Sequence, residues 1–431
     1  MKINPLAQEL NQTLEGTAAL RLLSAMGLRM FFPKGIVAQA AEAGEKAHRF
    51  NATVGIANEK PGIPIMLKAV QKEIPNLVPK DIVSYAPTSG DPELRKLWKE
   101  HIIHKNPKVK EDYISLPIVT SGLTSGLSQV ADLFANPGDK IFLPEYFWGN
   151  YRLLFEGRAQ AELVTYPLFS DEGIFNTKAL KDSIKASGVK KAIVILNFPN
   201  NPTGYSPTEK EAESITSALT ELAEDGIDIL AVTDDAYFGL FYEEGIYTHS
   251  IFEKLCNAHP NILAVKADGP TKELYAWGFR TGFLTFGSPV LSKEQFTALE
   301  KKLGGSLRAS ISNSNRLAQT LVKKILTDPQ MEKELEEWAQ LLKSRYKKTK
   351  QILANMPLDC GLSPLPFNSG YFMSFKTKVD AEELRKALLA KGIGTISLGP
   401  STLRVTFASI PEENLEELFL EIFKTAKELN I

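Results

Sequence analysis

Short, nearly unbroken apolar runs alternate with amphipathic stretches through the middle of the chain. Runs of strand length fall at 116–120, 140–143, 162–166, 192–197, 227–233, 262–266 and 282–286. Between them, stretches such as 125–135 and 209–223 repeat apolar positions at helical spacing. Continuous apolar strands separated by helices predict a mostly parallel sheet covered on both faces, an α/β arrangement. In such sheets ligands gather at the carboxyl ends of the strands. After the breaker Thr327-Asp-Pro329 the pattern changes to one long charged helix over 331–355. A strand at 371–375, a helix at 381–390, a strand at 403–407 and a helix at 412–429 follow. This tail predicts a second, smaller α/β domain. The expected division is an N-terminal arm over 1–60 that joins the small domain, a large domain over 61–330 and the small domain proper over 331–431.

Bulk properties narrow the picture. At 431 residues, two or three domains are expected, and 43% hydrophobic with 23% charged residues is ordinary for a globular protein. A formal net charge of -1 gives no basis for a nucleic-acid or anionic-membrane partner. Cys256 and Cys360 are the only cysteines, which argues against a disulfide framework and for a reducing compartment. The N-terminal stretch has no signal-like apolar core, and no run reaches the roughly 18 apolar residues of a membrane span. The histidines, at 48, 101, 104, 249 and 259, have no clustered carboxylates or thiols that would complete a metal site. A cytoplasmic protein without a metal is expected.

The unusual residues sit just past predicted strands. Lys272 lies in Ala267-Asp-Gly-Pro-Thr-Lys-Glu-Leu-Tyr-Ala-Trp-Gly-Phe-Arg-Thr-Gly282. An amine there suits an aldehyde cofactor held as an imine, and Arg280, always charged, suits that cofactor's phosphate as a planar fork. Read alone, a strand-end lysine is as readily a solvated one. Thr120-Ser-Gly-Leu-Thr-Ser-Gly-Leu127 joins a strand to a helix, so its backbone N–H groups with Thr124 and Ser125 form an anion site, or simply a capped helix start. Its glycine spacing does not fit the dinucleotide fingerprint. Asn197-Phe-Pro-Asn-Asn-Pro-Thr-Gly204 reads as a turn, with Asn201 made extended by Pro202 and able to aim an amide at a cofactor oxygen. Ala231-Val-Thr-Asp-Asp-Ala-Tyr237 brings a carboxylate out of an apolar strand, which is costly unless a cation meets it. A protonated pyridine nitrogen is such a cation for Asp234, and Tyr237 can reach the same ring's phenolic oxygen.

Taken in order, these segments resemble the class I pyridoxal-phosphate aminotransferases, with the fold type I architecture of aspartate aminotransferase, from about Phe50 to near the C-terminus. The resemblance implies pyridoxal 5'-phosphate as cofactor and Lys272 as the Schiff-base and proton-transfer residue. It places the cofactor among Leu123, Thr124, Trp148, Asn201, Asp234, Tyr237, Thr271 and Arg280, with Trp148 stacked on its ring. It implies a homodimer in which Tyr85 reaches the neighbouring subunit's phosphate. Arg404, in Leu403-Arg-Val-Thr406, falls where the family binds the substrate α-carboxylate, and Gly55 falls at its close-approach glycine. Arg308 matches the arginine that crosses the interface to a second carboxylate, implying aspartate or glutamate as donor and a 2-oxo acid such as 2-oxoglutarate as acceptor. Aromatic amino acids stay open as donors, and an arginine on a solvated helix face is the plain alternative.

Three positions depart from the family pattern. Gly269 stands in place of a serine at the phosphate, Tyr151 in place of a histidine behind the aspartate, and Leu196 in place of another nearby histidine. A weaker or differently wired ring-nitrogen site is the expectation. Two other functions compete: a C–S lyase or synthase on the same fold, and a non-catalytic sensor of amino acids or pyridoxal phosphate. The sensor reading would need an appended helix-turn-helix, for which the short N-terminal arm offers little room.

Overall fold

The computed structural model describes residues 3–33 and 35–430. Met1 and Lys2, the first positions of the N-terminal stretch read above, lie outside the described residues, as do Lys34 and Ile431. All the apolar runs of the middle region become strands of one seven-stranded sheet. They are β1 (Ile118–Thr120), β2 (Lys140–Pro144), β3 (Glu162–Tyr166), β4 (Lys191–Asn197), β5 (Asp228–Asp234), β6 (Ile262–Asp268) and β7 (Gly282–Gly287). Their spatial order is β1-β7-β6-β5-β4-β2-β3. The strands from β2 to β6 pair in parallel, whereas β7 runs antiparallel to both β6 and β1. The segment 269–281 stays at the carboxyl end of β6 instead of crossing the sheet, so the chain returns in the opposite sense.

Strict alternation divides the sheet into two cores. Ile193, Ile195, Val232, Val265 and Leu284 point to one side, here called the front, and pack with Leu127 and Val130 of helix Leu123–Phe134. Val194, Leu196, Ala231, Ala264 and Phe283 point to the reverse, against Trp98 and Ile102 of helix Pro92–Lys105 and Ile215 and Leu219 of helix Glu209–Glu224. Both faces are therefore dry, which is why the strands read as continuous apolar runs.

The C-terminal part builds a second sheet from β8 (Leu362–Pro364), β9 (Phe372–Thr377), β10 (Ile396–Ser397) and β11 (Thr402–Thr406), in the order β8-β9-β11-β10. Each pair is antiparallel. Helices Met331–Ala354, Ala381–Ala390 and Glu412–Leu429 accompany it, and Phe375 packs edge-on against Phe423. The N-terminal arm touches both parts. Arg29 Nε donates to the carbonyl of Gly157 at 3.0 Å, while Gln39 Nε2 donates to Ser397 Oγ at 3.0 Å. Phe50–Asn51 pairs in parallel with Ile393–Gly394. The arm's helices Pro5–Thr13 and Ile36–Lys46 and the π-helix Arg152–Arg158 were not anticipated from the pattern.

Candidate active site

Front-face alternation delivers Asn197 and Asp234 to the carboxyl ends of β4 and β5, where they are in register. Asn197 ties the neighbourhood together. Its Nδ2 donates to the Asp234 carbonyl at 2.8 Å, and its Oδ1 accepts from the Asn201 N–H at 2.8 Å. A cavity of about 200 Å³ opens over these strand ends. It is lined by Leu123, Thr124, Trp148, Asn201, Asp234, Tyr237, Thr271, Lys272 and Arg280, together with Asn197 and Ala236. Every cofactor residue expected from the sequence except Tyr85 is thus gathered at one place. Asn197 was quoted as the start of its motif but given no role, and its position at a strand end was the available signal.

Asp234 is buried, and its Oδ2 accepts a 2.6 Å hydrogen bond from the Tyr151 hydroxyl. Its Oδ1 accepts from the Ala236 N–H at 3.2 Å. Burial pushes the carboxyl upward, while the Tyr151 bond and the nearby Lys272 charge pull it down. Burial also keeps the Tyr151 phenol protonated, so it donates. The site behind Asp234 is thus wired differently from the family pattern, with Tyr151 supporting the carboxylate directly. Leu196 belongs to the reverse-face core and does not face Asp234 at all.

Lys272 lies in the short helical turn Pro270–Glu273, with its amine 4.7 Å from the Tyr237 ring centroid. Enclosure by protein lowers the amine to about 8, helped by the Arg280 charge and opposed by Asp234. Tyr237 is buried edge-on against Phe372, and a Cβ added at Gly55 would lie 3.5 Å from its hydroxyl. Gly55 is thus beside the cavity's tyrosine.

The far end of the cavity is built for an anion. Helix Leu123–Phe134 begins at Gly122 without a side-chain cap, leaving its first N–H groups open. The buried Thr271 Oγ1 has no hydrogen-bond partner. Arg280 forms no ion pair among the described residues, bonds only the Trp277 carbonyl at 3.4 Å, and packs so that a Cβ on Gly122 would sit 2.7 Å from its Nη2. Gly269 has a steric reason of its own. A Cβ there would lie 2.9 Å from both Gly282 Cα and the Thr281 carbonyl oxygen, so a serine does not fit this backbone.

Arg404 on β11 is 2% exposed and has no carboxylate partner among the described residues. Its Nη1 donates to Asn201 Oδ1 at 3.1 Å, its Nη2 to the Thr53 carbonyl at 3.0 Å, and its Nε is unpaired. The guanidinium lies 4.2 Å from the Phe372 ring centroid, and burial lowers it to about 10. Two expected residues are not brought to this cavity. Tyr85 is 91% exposed, and the exposed Arg308 donates to Ser312 Oγ at 2.6 Å. His101 pairs with Glu273, and among the described residues no His, Cys, Asp and Glu group could hold a metal. Among them, too, no helix is long and apolar enough to cross a membrane.

An uncapped helix start, an orphaned buried hydroxyl, an unpaired arginine and a buried carboxylate fit the phosphate and ring nitrogen of pyridoxal phosphate. Comparison with known proteins agrees. The model of the family "Aminotransferase class I and II" matches residues 57–422. An aspartate/prephenate aminotransferase of Thermus thermophilus is 25% identical over 346 residues, 77% of this chain and 80% of that protein. An aspartate aminotransferase of Pyrococcus horikoshii is 23% identical over 337 residues, 78% of this chain and 81% of that protein. The crystal structure of an aminotransferase from Anaerococcus prevotii superposes with a TM-score of 0.83 at 26% identity, covering 95% of this chain and 100% of that one. The chain belongs to the class I and II aminotransferases, on the fold type I architecture, and is a pyridoxal-phosphate-dependent enzyme that transfers an amino group from an amino acid to a 2-oxo acid.

Proposed function

We propose that the enzyme takes its amino group from aspartate or glutamate and passes it to 2-oxoglutarate or oxaloacetate, with Lys272 as the catalytic amine. One observation carries the reading of an amino-acid substrate, and the match of Arg308 supports a second carboxylate on it. Two enclosed cations, Lys272 and Arg404, flank Tyr237 and Asn201, and neither has an ion-pair partner among the described residues. Buried cations without partners are costly, and an amino-acid substrate supplies the missing anion. Pyridoxal phosphate, when bound, supplies a carbonyl that an amine can hold and a ring that draws electrons from the substrate Cα.

The chain's own groups do the rest. Leu123, Thr124, Thr271 and Arg280 would hold the phosphate, Asp234 would pair with the ring nitrogen, and Asn201 Nδ2 with the Tyr237 hydroxyl would donate to the ring oxygen. Asn201 Oδ1 is already engaged by Arg404, which leaves its amide free to donate. Arg404 orients the α-carboxylate as a fork. Lys272, neutral above about pH 8, accepts the substrate Cα proton. Trp148 lines the cavity beside the ring position. Tyr85 and Arg308, turned outward here, serve the neighbouring cavity of a homodimer, where Arg308 meets the side-chain carboxylate. We place the domain boundaries near residues 60 and 330 and the enzyme in the cytoplasm.

The test is a donor panel on the loaded enzyme with 2-oxoglutarate, comparing aspartate, tyrosine and phenylalanine by glutamate formed. With 2-oxoglutarate replaced by oxaloacetate, glutamate is tested as donor by aspartate formed. Aspartate and glutamate are expected to lead. Arg308→Ala should cut kcat/KM for aspartate about 100-fold while phenylalanine changes less than about threefold, as expected for loss of one charge-assisted pair. Equal losses for both donors would reject the role of Arg308. Absence of product with every donor would reject the substrate assignment.

A further inference from the structure

The amino-transfer chemistry uses the front of the sheet, yet a cluster of enclosed charge lies on its reverse. Asp235 follows Asp234 but points the other way. Its Oδ2 accepts from Ser250 Oγ at 2.6 Å and from the Lys266 amine. Lys266, on β6 and in register with Thr233, is 1% exposed. Its amine also lies 3.4 Å from Asp268 Oδ2 and 4.7 Å from the Phe238 ring centroid. The other oxygen of Asp268 accepts from Trp98 Nε1 at 3.0 Å. Glu273, directly after Lys272, lies 2.7 Å from His101 Nε2.

Nothing in the fold alone requires this cluster. Apolar residues would fill the same layer, as Ile229, Ala231, Ile262 and Ala264 do earlier along β5 and β6. Its members adjoin the site instead: Asp235 follows Asp234, Glu273 follows Lys272, and Asp268 ends the strand that leads to Thr271. The charges are also in electrostatic contact across the sheet, since Asp235 pushes the Asp234 carboxyl upward.

Resting on the assignment of Lys272 and Asp234 made above, we infer that Lys266 is a positioning residue for amino transfer. By bridging Asp235 and Asp268 on the reverse face, it fixes the strand ends that carry Asp234 and Lys272 and neutralises the carboxylates behind them. It touches neither cofactor nor substrate. The groups facing it are Asp235, Asp268 and the Phe238 ring, with Glu273 and His101 beyond. Lys105 adds its charge near Glu273, and Arg280 and Asp234 act on Lys272 from the front.

The test is the pH midpoint of the visible absorbance change of the loaded enzyme, read beside kcat and KM. Lys266→Met removes a positive charge and should move the midpoint upward by about half to one unit, because the remaining cations are then better stabilised. The same variant should lower kcat about tenfold with KM inside about twofold, as a positioning loss does. Lys266→Arg should restore the midpoint. Asp235→Asn should move it downward, and this variant decides the matter if Lys266→Met does not fold. A lower melting temperature with an unmoved midpoint would overturn the inference. Lys272→Ala keeps the two assignments apart: if the absorbance change survives in it, the reading of the site fails, whereas an unmoved midpoint in Lys266→Met overturns only the role of Lys266.

Discussion

The two faces of the central sheet carry charge in opposite ways at the same strand ends. On the reverse, Lys266, Asp235, Asp268 and His101 are buried and Glu273 half-buried, with partners already in place. On the front, Lys272 and Arg280 line an open cavity without an ion pair among the described residues, Thr271 Oγ1 is orphaned, and Arg404 nearby reaches only an amide and a carbonyl. Native interiors seldom leave such groups unsatisfied. The unsatisfied face is therefore the one that receives ligands, and the satisfied face is its scaffold. Location at a strand's carboxyl end does not separate the two, since both faces share it.

The sharpest way to break this comparison is Lys272→Ala. Losing the amine proposed to move the Cα proton should reduce turnover at least ~10³-fold, the scale of general-base and covalent roles together. Steady-state assays measure it, and turnover near wild type would remove the front face's central residue. The same lysine sets a pH dependence with a defined sign. Its amine is lowered to about 8, so it is protonated below that pH and carries a free lone pair above it. Capture of pyridoxal phosphate by the apoenzyme should therefore speed up as pH rises toward 8 and level off beyond.

Arg404→Leu comes next. Removing the fork proposed to meet the substrate carboxylate should cost about 3 kcal/mol, roughly 10²-fold in kcat/KM for every donor. The stability of the apoenzyme should change by only about 1 kcal/mol, because the leucine also removes a buried charge that lacks a partner. Lys266→Met should do the reverse in a denaturation experiment, losing about 3 kcal/mol by stranding two carboxylates. If the two substitutions destabilise the apoenzyme equally, the distinction between a waiting face and a completed one is wrong.

Much of this was legible from the chain because burial on both faces writes strands as plain apolar runs. Each of the seven runs became a strand of the one sheet, with ends shifted by at most two residues, at 116–120 against Ile118–Thr120 and at 262–266 against Ile262–Asp268. The front-face residues were legible for a related reason: polar side chains directly after an apolar strand have few structural uses. The reverse network was not. Asp235 reads as the start of a loop and Lys266 as a solvated strand end, and Trp98, which completes Asp268, is 170 positions away. Parity along one strand cannot say which face meets a helix bearing an indole. The steric exclusion of serine at Gly269 was equally hidden, since it depends on Gly282 and Thr281 returning along antiparallel β7. The antiparallel sense of β7 itself needs the path of 269–281, which local pattern does not give.

The smallest expected effect probes the front-face carboxylate, which already has a side-chain donor. Asp234 differs from its neighbours in the cavity because Tyr151 donates to it at 2.6 Å before any ligand arrives. Tyr151→Phe keeps the ring, which packs edge-on with Trp148, and removes only the hydroxyl. The Asp234 carboxyl, already raised by burial, then rises further and is protonated over a wider pH range. A neutral acid cannot pair with a protonated pyridine, so cofactor affinity should fall by about 1 kcal/mol, roughly fivefold, measured by titrating the apoenzyme with pyridoxal phosphate. The direction of the pH dependence carries the argument. The loss should be largest at low pH and shrink as pH rises and the carboxyl ionises without help. A uniform loss across pH would mean that Tyr151 acts through packing, and that the front face holds its prepaired carboxylate for the same structural reason as the reverse.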